Sequence, residues 1–198
     1  MIRKIDNVSQ PKVWLSEFLL YRALFKGPNG KPLYTYQVSE EEYQSLLKML
    51  REQLKNDFNS RDIIRLGACF CLFVSEQYRR EYNGSWSWSG AETALGSSLT
   101  PQQVATLTSH GLEYWKRPIR LRENGRDWLG SLFSEGGLPW TLINSEAHSF
   151  GRAIRHGIKY YYQTKGNRKS TTDLIADFEG YLPAAFRSLE TRHLLAGI

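Results

Sequence analysis

The sequence predicts an all-α fold, a single globular multi-helix bundle around one buried central helix at residues 60–82. Within that stretch, the run from Ile63 to Val74 is apolar on nearly every side of a helical wheel, which is typical of a buried helix. Apolar stripes at helical spacing recur along the rest of the chain. Residues 32–38 alternate as a strand would, but without a good partner strand we expect at most a short extended segment there.

The first half of the chain contains three predicted helices. Pro11 suits the first turn of a helix, because its missing N–H costs nothing there, and a Gly-Pro-Asn-Gly turn at residues 27–30 follows. Residues 39–42 form a capping box ahead of the second helix, and the central helix is the third. The inward face of the first helix is predicted to contain Trp14, Phe18, Tyr21 and Phe25.

Two tryptophans, Trp86 and Trp88, lie in a predicted loop at residues 85–90. We interpret this loop as a lid whose indoles fill the end of the bundle. The alternative is a platform on which nucleic-acid bases stack.

The second half of the chain begins with another capping box at residues 100–103, with Pro101 at the first helical position. The helix that it opens has an apolar stripe made of Val104, Leu107, Gly111, Leu112 and Trp115. A short helix over residues 127–133 is predicted to turn Trp128, Leu129, Leu132 and Phe133 inward. Further helices are predicted over residues 146–163, from residue 170 and from residue 183.

The length of 198 residues predicts one helical domain over residues 1–198, able to bury a sizeable core without disulfide or metal. Cys69 and Cys71 would lie about 200° apart around a helix and cannot bond to each other. Because no signal peptide and no apolar run of the roughly 20 residues that span a bilayer is present, we expect a cytoplasmic protein with no membrane partner. The chain stops without a cap or tail, so we expect the N-terminal module of a longer protein.

Positive charge is concentrated in two segments. The chain has a net charge of +6, yet residues 116–126 alone carry +4 and residues 152–169 carry +6. A cationic surface of this kind can neutralise phosphates with release of counterions. We therefore predict a nucleic-acid-binding face, the predicted basic face, made of Arg117, Arg120, Arg122, Arg152, Arg155, Lys159, Arg168 and Lys169.

No motif for catalysis, metal binding or a cofactor has the required spacing, so we expect no cofactor. The two cysteines lack the second pair that zinc needs, and in so apolar a run their thiols are expected to be inert. Asp62, Glu76 and Glu81 are interpreted as helix-end and surface charge. Arg187 and His193 have the Arg-x5-His spacing that resembles the catalytic motif of the HEPN ribonucleases, which leaves a ribonuclease as an alternative.

Four blocks carry a resemblance over roughly residues 12 to 140. They are GKPLYTYQVSEEEY (30–43), FCLFVSEQYRREYNGSWSW (70–88), LTPQQ with GLEYWKRPI (99–119) and LGSLFSEGGLPW (129–140). Together they resemble the N-terminal region of a large bacterial protein family that occurs in mobile genomic islands carrying anti-phage systems. Within that family they resemble the companion subunit of the Druantia-type helicase. The resemblance implies a helicase partner and supplies no catalytic residue.

These observations predict a non-enzymatic helical module of an anti-phage defence protein that binds nucleic acid, DNA rather than RNA, through the predicted basic face. The alternative is an assembly module that uses the same surface to dock on a helicase or another acidic subunit. A HEPN-like ribonuclease is the further alternative.

Overall fold

The computed structural model describes residues 10–55, 62–82, 87–123, 125–137 and 139–140, and in this part the fold is all-α as predicted. A single 3-10 helix and one two-stranded antiparallel ribbon accompany six α-helices in these ranges. The helices are α1 (Pro11–Tyr21), α2 (Glu40–Lys55), α3 (Ile63–Glu81), α4 (Trp88–Leu95), α5 (Pro101–Trp115) and α6 (Trp128–Gly136). The 3-10 helix is Leu33–Tyr36, and the ribbon pairs β1 (Leu121–Arg122) with β2 (Gly125–Arg126).

The chain divides into two compact units, which we describe separately. The first comprises Met1–Tyr78 and Trp86–Gly137, and the second comprises Arg79–Ser85 and Leu138–Ile198. In the described part of the second unit, the guanidinium carbons of Arg79 and Arg80 lie 4.6 and 5.0 Å from the centroid of the Trp140 ring. These cation–π contacts place two positive charges against one indole. The helices predicted over residues 146–163, from 170 and from 183 lie outside the described residues.

Helix α3 is the centre of the first unit, as predicted. Every residue from Leu66 to Gln77 is buried. This stretch includes three polar residues that follow the apolar run: Ser75, Glu76 and Gln77. The interpretation of Glu76 as a surface charge is therefore wrong, since only 3% of it is exposed. Gln77 accepts a hydrogen bond from the buried hydroxyl of Tyr43, which joins α3 to α2. Burial of a polar residue is tolerated when such a partner is supplied.

Helices α3 and α5 are in close contact, with no room for a side chain at Gly67 of α3 or at Gly111 of α5. A Cβ on Gly67 would lie 2.5 Å from the carbonyl oxygen of Leu107, and a Cβ on Gly111 would overlap the Gly67 backbone and the Cys71 sulfur. The apolar stripe predicted for α5 is confirmed, and the indole of Trp115 in it donates a 2.9 Å hydrogen bond to the carbonyl of Ala68.

Helix α1 buries only the first half of its predicted stripe. Trp14 and Phe18 are fully buried and stack at a centroid distance of 4.9 Å, whereas Tyr21 and Phe25 are 49% and 77% exposed. The prediction is wrong for the second pair because the helix ends at Tyr21, well before the turn at residues 27–30. Ala23 then adopts a φ of 55°, which redirects the chain.

The segment predicted to be extended at residues 32–38 is a 3-10 helix instead. The carbonyls at its end are satisfied by an arginine just after α1 rather than by a strand, since Arg22 donates to the carbonyls of Tyr36 at 2.6 Å and Gln37 at 3.1 Å. Arg22 also forms a bidentate ion pair with Glu42, at 2.8 and 2.7 Å. A backbone group whose partner comes from a distant residue has no local sequence signal.

The two capping boxes are confirmed. Ser39 and Glu42 exchange side-chain to backbone hydrogen bonds at the start of α2, and Thr100 and Gln103 do the same at α5. The loop predicted at residues 85–90 is wrong over its second half, because α4 begins at Trp88. Trp88 stacks on the buried ring of Phe70 at 6.2 Å, as the lid interpretation expects of its indole, whereas Trp86 lies outside the described residues.

Candidate nucleic-acid interface

The described members of the predicted basic face, Arg117, Arg120 and Arg122, lie between the end of α5 and a short two-stranded ribbon. Helix α5 ends where Lys116 adopts a φ of 58°, and Pro118 then prevents its continuation because it lacks a backbone N–H. Leu121 pairs with Arg126 and Arg122 pairs with Gly125, whose φ of 122° suits the reversal of the chain. All four residues are exposed.

The base of the ribbon is fastened to α6. Arg120 accepts a backbone hydrogen bond from Asp127 at 2.9 Å, and its own N–H donates to the hydroxyl of Ser131 at 2.9 Å. The Asp127 carboxylate caps α6 through the N–H of Gly130 at 2.9 Å. The ribbon is thus held to α6 at its base and is exposed beyond Arg120 and Asp127.

The strand register separates the side chains onto two faces. Residues that face each other across an antiparallel pair share a side, and neighbours along a strand alternate. Arg120, Arg122 and Asp127 therefore lie on one face, where Arg122 donates a 2.6 Å hydrogen bond to the Asp127 carboxylate. The opposite face presents Leu121 and Arg126.

Arg126 is the residue that the sequence prediction missed. No carboxylate pairs with it in the described ranges, and its guanidinium carbon lies 5.5 Å from the centroid of the half-buried Trp128 ring. The sequence offered no clear signal for this contact, because Arg126 ends a strand and Trp128 begins α6. With a helix predicted over residues 127–133, Trp128 was expected to point inward. Helix α6 instead buries Ser131, Leu132 and Glu135, and Trp128, Leu129 and Phe133 are only half-buried.

Among the described residues, Arg117 has a buried acidic partner, unlike Arg126. Its Nε donates to the Glu135 carboxylate at 2.8 Å, and its Nη1 donates to the carbonyl of Gly30 at 2.8 Å. The other carboxylate oxygen of Glu135 accepts the N–H of Leu33 at 3.0 Å. We call Arg117, Glu135 and these two backbone groups the buried polar cluster. It joins the end of α5, α6 and the start of the 3-10 helix.

Burial of the ionised Glu135 carboxylate in this cluster costs free energy. Burial raises the pKa of Glu135, while the hydrogen bond and charge of Arg117 and the N–H of Leu33 act in the opposite direction. Only 2% of the Glu135 side chain is exposed, so Arg117 is the group that makes an ionised carboxylate tolerable there. Two of the donor groups of Arg117 are thereby directed inward.

The structure describes three of the eight members of the predicted basic face. Arg117, Arg120 and Arg122 lie along the 11-residue segment 116–126, together with Lys116, which is exposed. The other five predicted residues lie outside the described part of the chain: Arg152, Arg155, Lys159, Arg168 and Lys169. Their place on a common face stays a prediction. The HEPN-like role of Arg187 and His193, which also lie outside the described residues, stays a prediction too.

The described residues offer little else for chemistry. Burial raises the pKa of both Cys69 and Cys71 well above its ordinary value, which agrees with the inert thiols expected. Across the described ranges, no three His, Cys, Asp or Glu residues are grouped so that they could hold a metal ion. None of the helices in these ranges combines the length and apolar character needed to cross a membrane.

Comparisons with known proteins place the chain in a family. Residues 3–138 match the family described as the YjiT N-terminal domain. The chain is similar to protein YjiT of Escherichia coli strain K12, with 38% identity over 167 residues that cover 81% of this chain and 31% of that protein. The chain thus spans about a third of the length of the curated relative that it matches. No solved structure gives a significant match. The chain belongs to the YjiT N-terminal domain family.

Proposed function

We propose that this chain is a non-enzymatic module that binds nucleic acid, and that the ribbon with its flanking basic residues supplies part of the contact surface. The observation that carries the proposal is the +4 charge of residues 116–126 together with the exposure of the ribbon formed within them. Cations on a projecting element can approach phosphates without displacing other structure.

Internal pairing divides the basic residues of this segment by role. Arg117 is directed into the buried polar cluster, and Arg122 is partly neutralised by Asp127. Lys116 and Arg126 have no acidic partner in the described ranges, so we assign them the phosphate contacts. Residues 152–169 add the remaining charge in this proposal.

The test is fluorescence polarisation of labelled DNA and RNA with the whole chain at low salt. Arg126→Glu combined with Lys116→Glu should weaken binding at least about tenfold, because two attractive contacts become repulsive. The pair Arg155→Glu and Lys159→Glu tests the second segment in the same way. Lys12→Glu, an exposed charge on α1, is the control and should change affinity far less. Undetectable binding at low salt, or binding unaffected by the ribbon variant, would overturn the proposal.

A second candidate is an assembly module that docks on another protein. The observation that favours it is the set of exposed apolar side chains on and just after α1: Val13, Leu20, Tyr21 and Phe25. Such side chains can mark a protein interface when they form one patch. Retention of a partner in a pull-down after nuclease treatment, with loss in a Leu20→Ser and Phe25→Ser variant, would favour this candidate over the first.

The resemblance to defence-island proteins supplies the proposed setting, a cytoplasmic anti-phage system with a large helicase as partner. In this setting the chain would position the assembly on nucleic acid, and catalysis would belong to the partner. Plaque assays with the ribbon variant in the complete system test it. Protection from phage should fall in proportion to the loss of binding, and full protection without binding would contradict the proposed role.

A further inference from the structure

The Leu121–Arg126 face of the ribbon combines an apolar side chain, a guanidinium and an indole on one surface. Leu121 is 76% exposed, which leaves its side chain in water. Arg126 lies across the ribbon from Leu121 and next to Trp128. A phosphate alone would use the charge of Arg126 but would leave Leu121 uncovered. A flat, partly apolar group would cover both residues.

A duplex offers this face no uncovered base face. The faces of paired bases are covered by their stacked neighbours, so a duplex presents only its phosphates and the edges of its bases in the grooves. A base edge can accept hydrogen bonds from Arg126, but it offers little flat surface to cover Leu121.

An unpaired base satisfies both observations. Its face can stack on a guanidinium plane or an aromatic ring and cover an aliphatic side chain, and every base offers such a face. The neighbouring phosphates would then meet Lys116 and the cationic side of Arg126. Neither contact depends on the identity of the base.

We propose that the Leu121–Arg126 face binds an unpaired base of single-stranded nucleic acid, with Arg126 as the stacking group beside Trp128 and Leu121 as the apolar wall. This inference rests on the proposed function, because it names the nucleic acid that the ribbon prefers. It predicts preference for single strands over duplex and tolerance of base sequence. DNA and RNA single strands share the chemistry that is recognised.

The experiment compares an unlabelled single strand and a duplex of equal length as competitors for a labelled single strand bound to the whole chain. We expect the single strand to compete at least about fivefold better, the low end of what one stacked base contributes. Arg126→Lys keeps the charge but removes the planar group, and Leu121→Ser removes the apolar wall. Each should abolish the preference while retaining duplex binding, and Lys12→Gln should leave the preference intact.

The outcomes separate this inference from the proposed function. Equal competition by duplex, or a preference that survives both substitutions, overturns the single-strand assignment and leaves nucleic-acid binding in place. Absence of binding to either competitor at low salt overturns both proposals. Both substituted residues are exposed, so circular dichroism should show unchanged folding. A preference that falls for Leu121→Ser in a folded chain supports the assignment.

Discussion

Arg117 and Arg126 belong to the same basic segment, nine positions apart, yet they have opposite environments. Arg117 lies in the buried polar cluster, where its guanidinium donates to Glu135 and to Gly30. Arg126 lies on the exposed ribbon beside Trp128, with no acidic partner in the described ranges. The comparison teaches that the net charge of a segment limits what it can bind, whereas internal pairing decides which of its cations contribute to binding.

The largest effect in this comparison is expected from Arg117→Met. It leaves the Glu135 carboxylate buried with only the N–H of Leu33 as partner, and removing one member of a buried pair costs about 3–5 kcal/mol. The free energy of unfolding, measured with urea at neutral pH, should fall by that amount. A loss below about 1 kcal/mol would show that the cluster is not what holds α5, α6 and the 3-10 helix together.

The pH dependence of the same variant sharpens this prediction. Burial raises the pKa of Glu135, so the folded state retains the proton to higher pH than the unfolded state, and stability falls as pH rises through that window. Removing Arg117 removes an influence that lowers this pKa, so the window extends upward. The loss should be smaller near about pH 5 than near about pH 8. Adding Glu135→Gln to Arg117→Met replaces the titrating carboxyl group. The rise in the loss of stability between about pH 5 and about pH 8 should then disappear.

An intermediate effect is expected from Arg22→Met, the second arginine with internal partners. Arg22 pairs with Glu42 and donates to the carbonyls of Phe18, Tyr36 and Gln37, but both charged side chains keep some exposure to water. We expect a loss of roughly 1–3 kcal/mol, the range for hydrogen bonds to charged groups. Urea unfolding tests it, and a loss equal to that of Arg117→Met would show that burial of the acid does not separate the two sites.

The smallest effect on stability is expected from Arg126→Met. Because the side chain has no acidic partner in the described ranges and lies on an exposed strand, the unfolding free energy should change within about 0.5 kcal/mol. A loss above about 1.5 kcal/mol would mean that the contact with Trp128 is structural. In that case the ribbon would have to be reinterpreted as part of the fold.

Local sequence patterns predicted the parts of the fold whose partners are close in the chain. The capping boxes at Ser39 and Thr100 and the apolar run of α3 required only neighbouring residues. The 3-10 helix was missed because the carbonyls at its end depend on Arg22. The inward face of α6 was only partly right, because α6 buries Glu135, paired with Arg117, besides the predicted Leu132.

The membership of the candidate site stays a prediction, but the structure shows where its first members lie. Counting cations identified residues 116–126, in which Arg120 lies at the base of the ribbon and Arg122 on it. The sequence could not show that Arg117 turns inward, because Glu135 is 18 residues away. The alternative that assigns base stacking to Trp86 and Trp88 stays a prediction, although Trp88 stacks on Phe70.

The most direct test of the central assignment is the salt dependence of single-strand binding for the wild type, Arg126→Gln and Arg122→Gln. We expect the slope of the logarithm of the binding constant against the logarithm of the salt concentration to become shallower by about 0.7 for Arg126→Gln, because one phosphate contact is lost. A clearly smaller change is expected for Arg122→Gln, because Asp127 already neutralises that charge. Identical slopes for the wild type and Arg126→Gln, or a larger change for Arg122→Gln, would contradict the assignment.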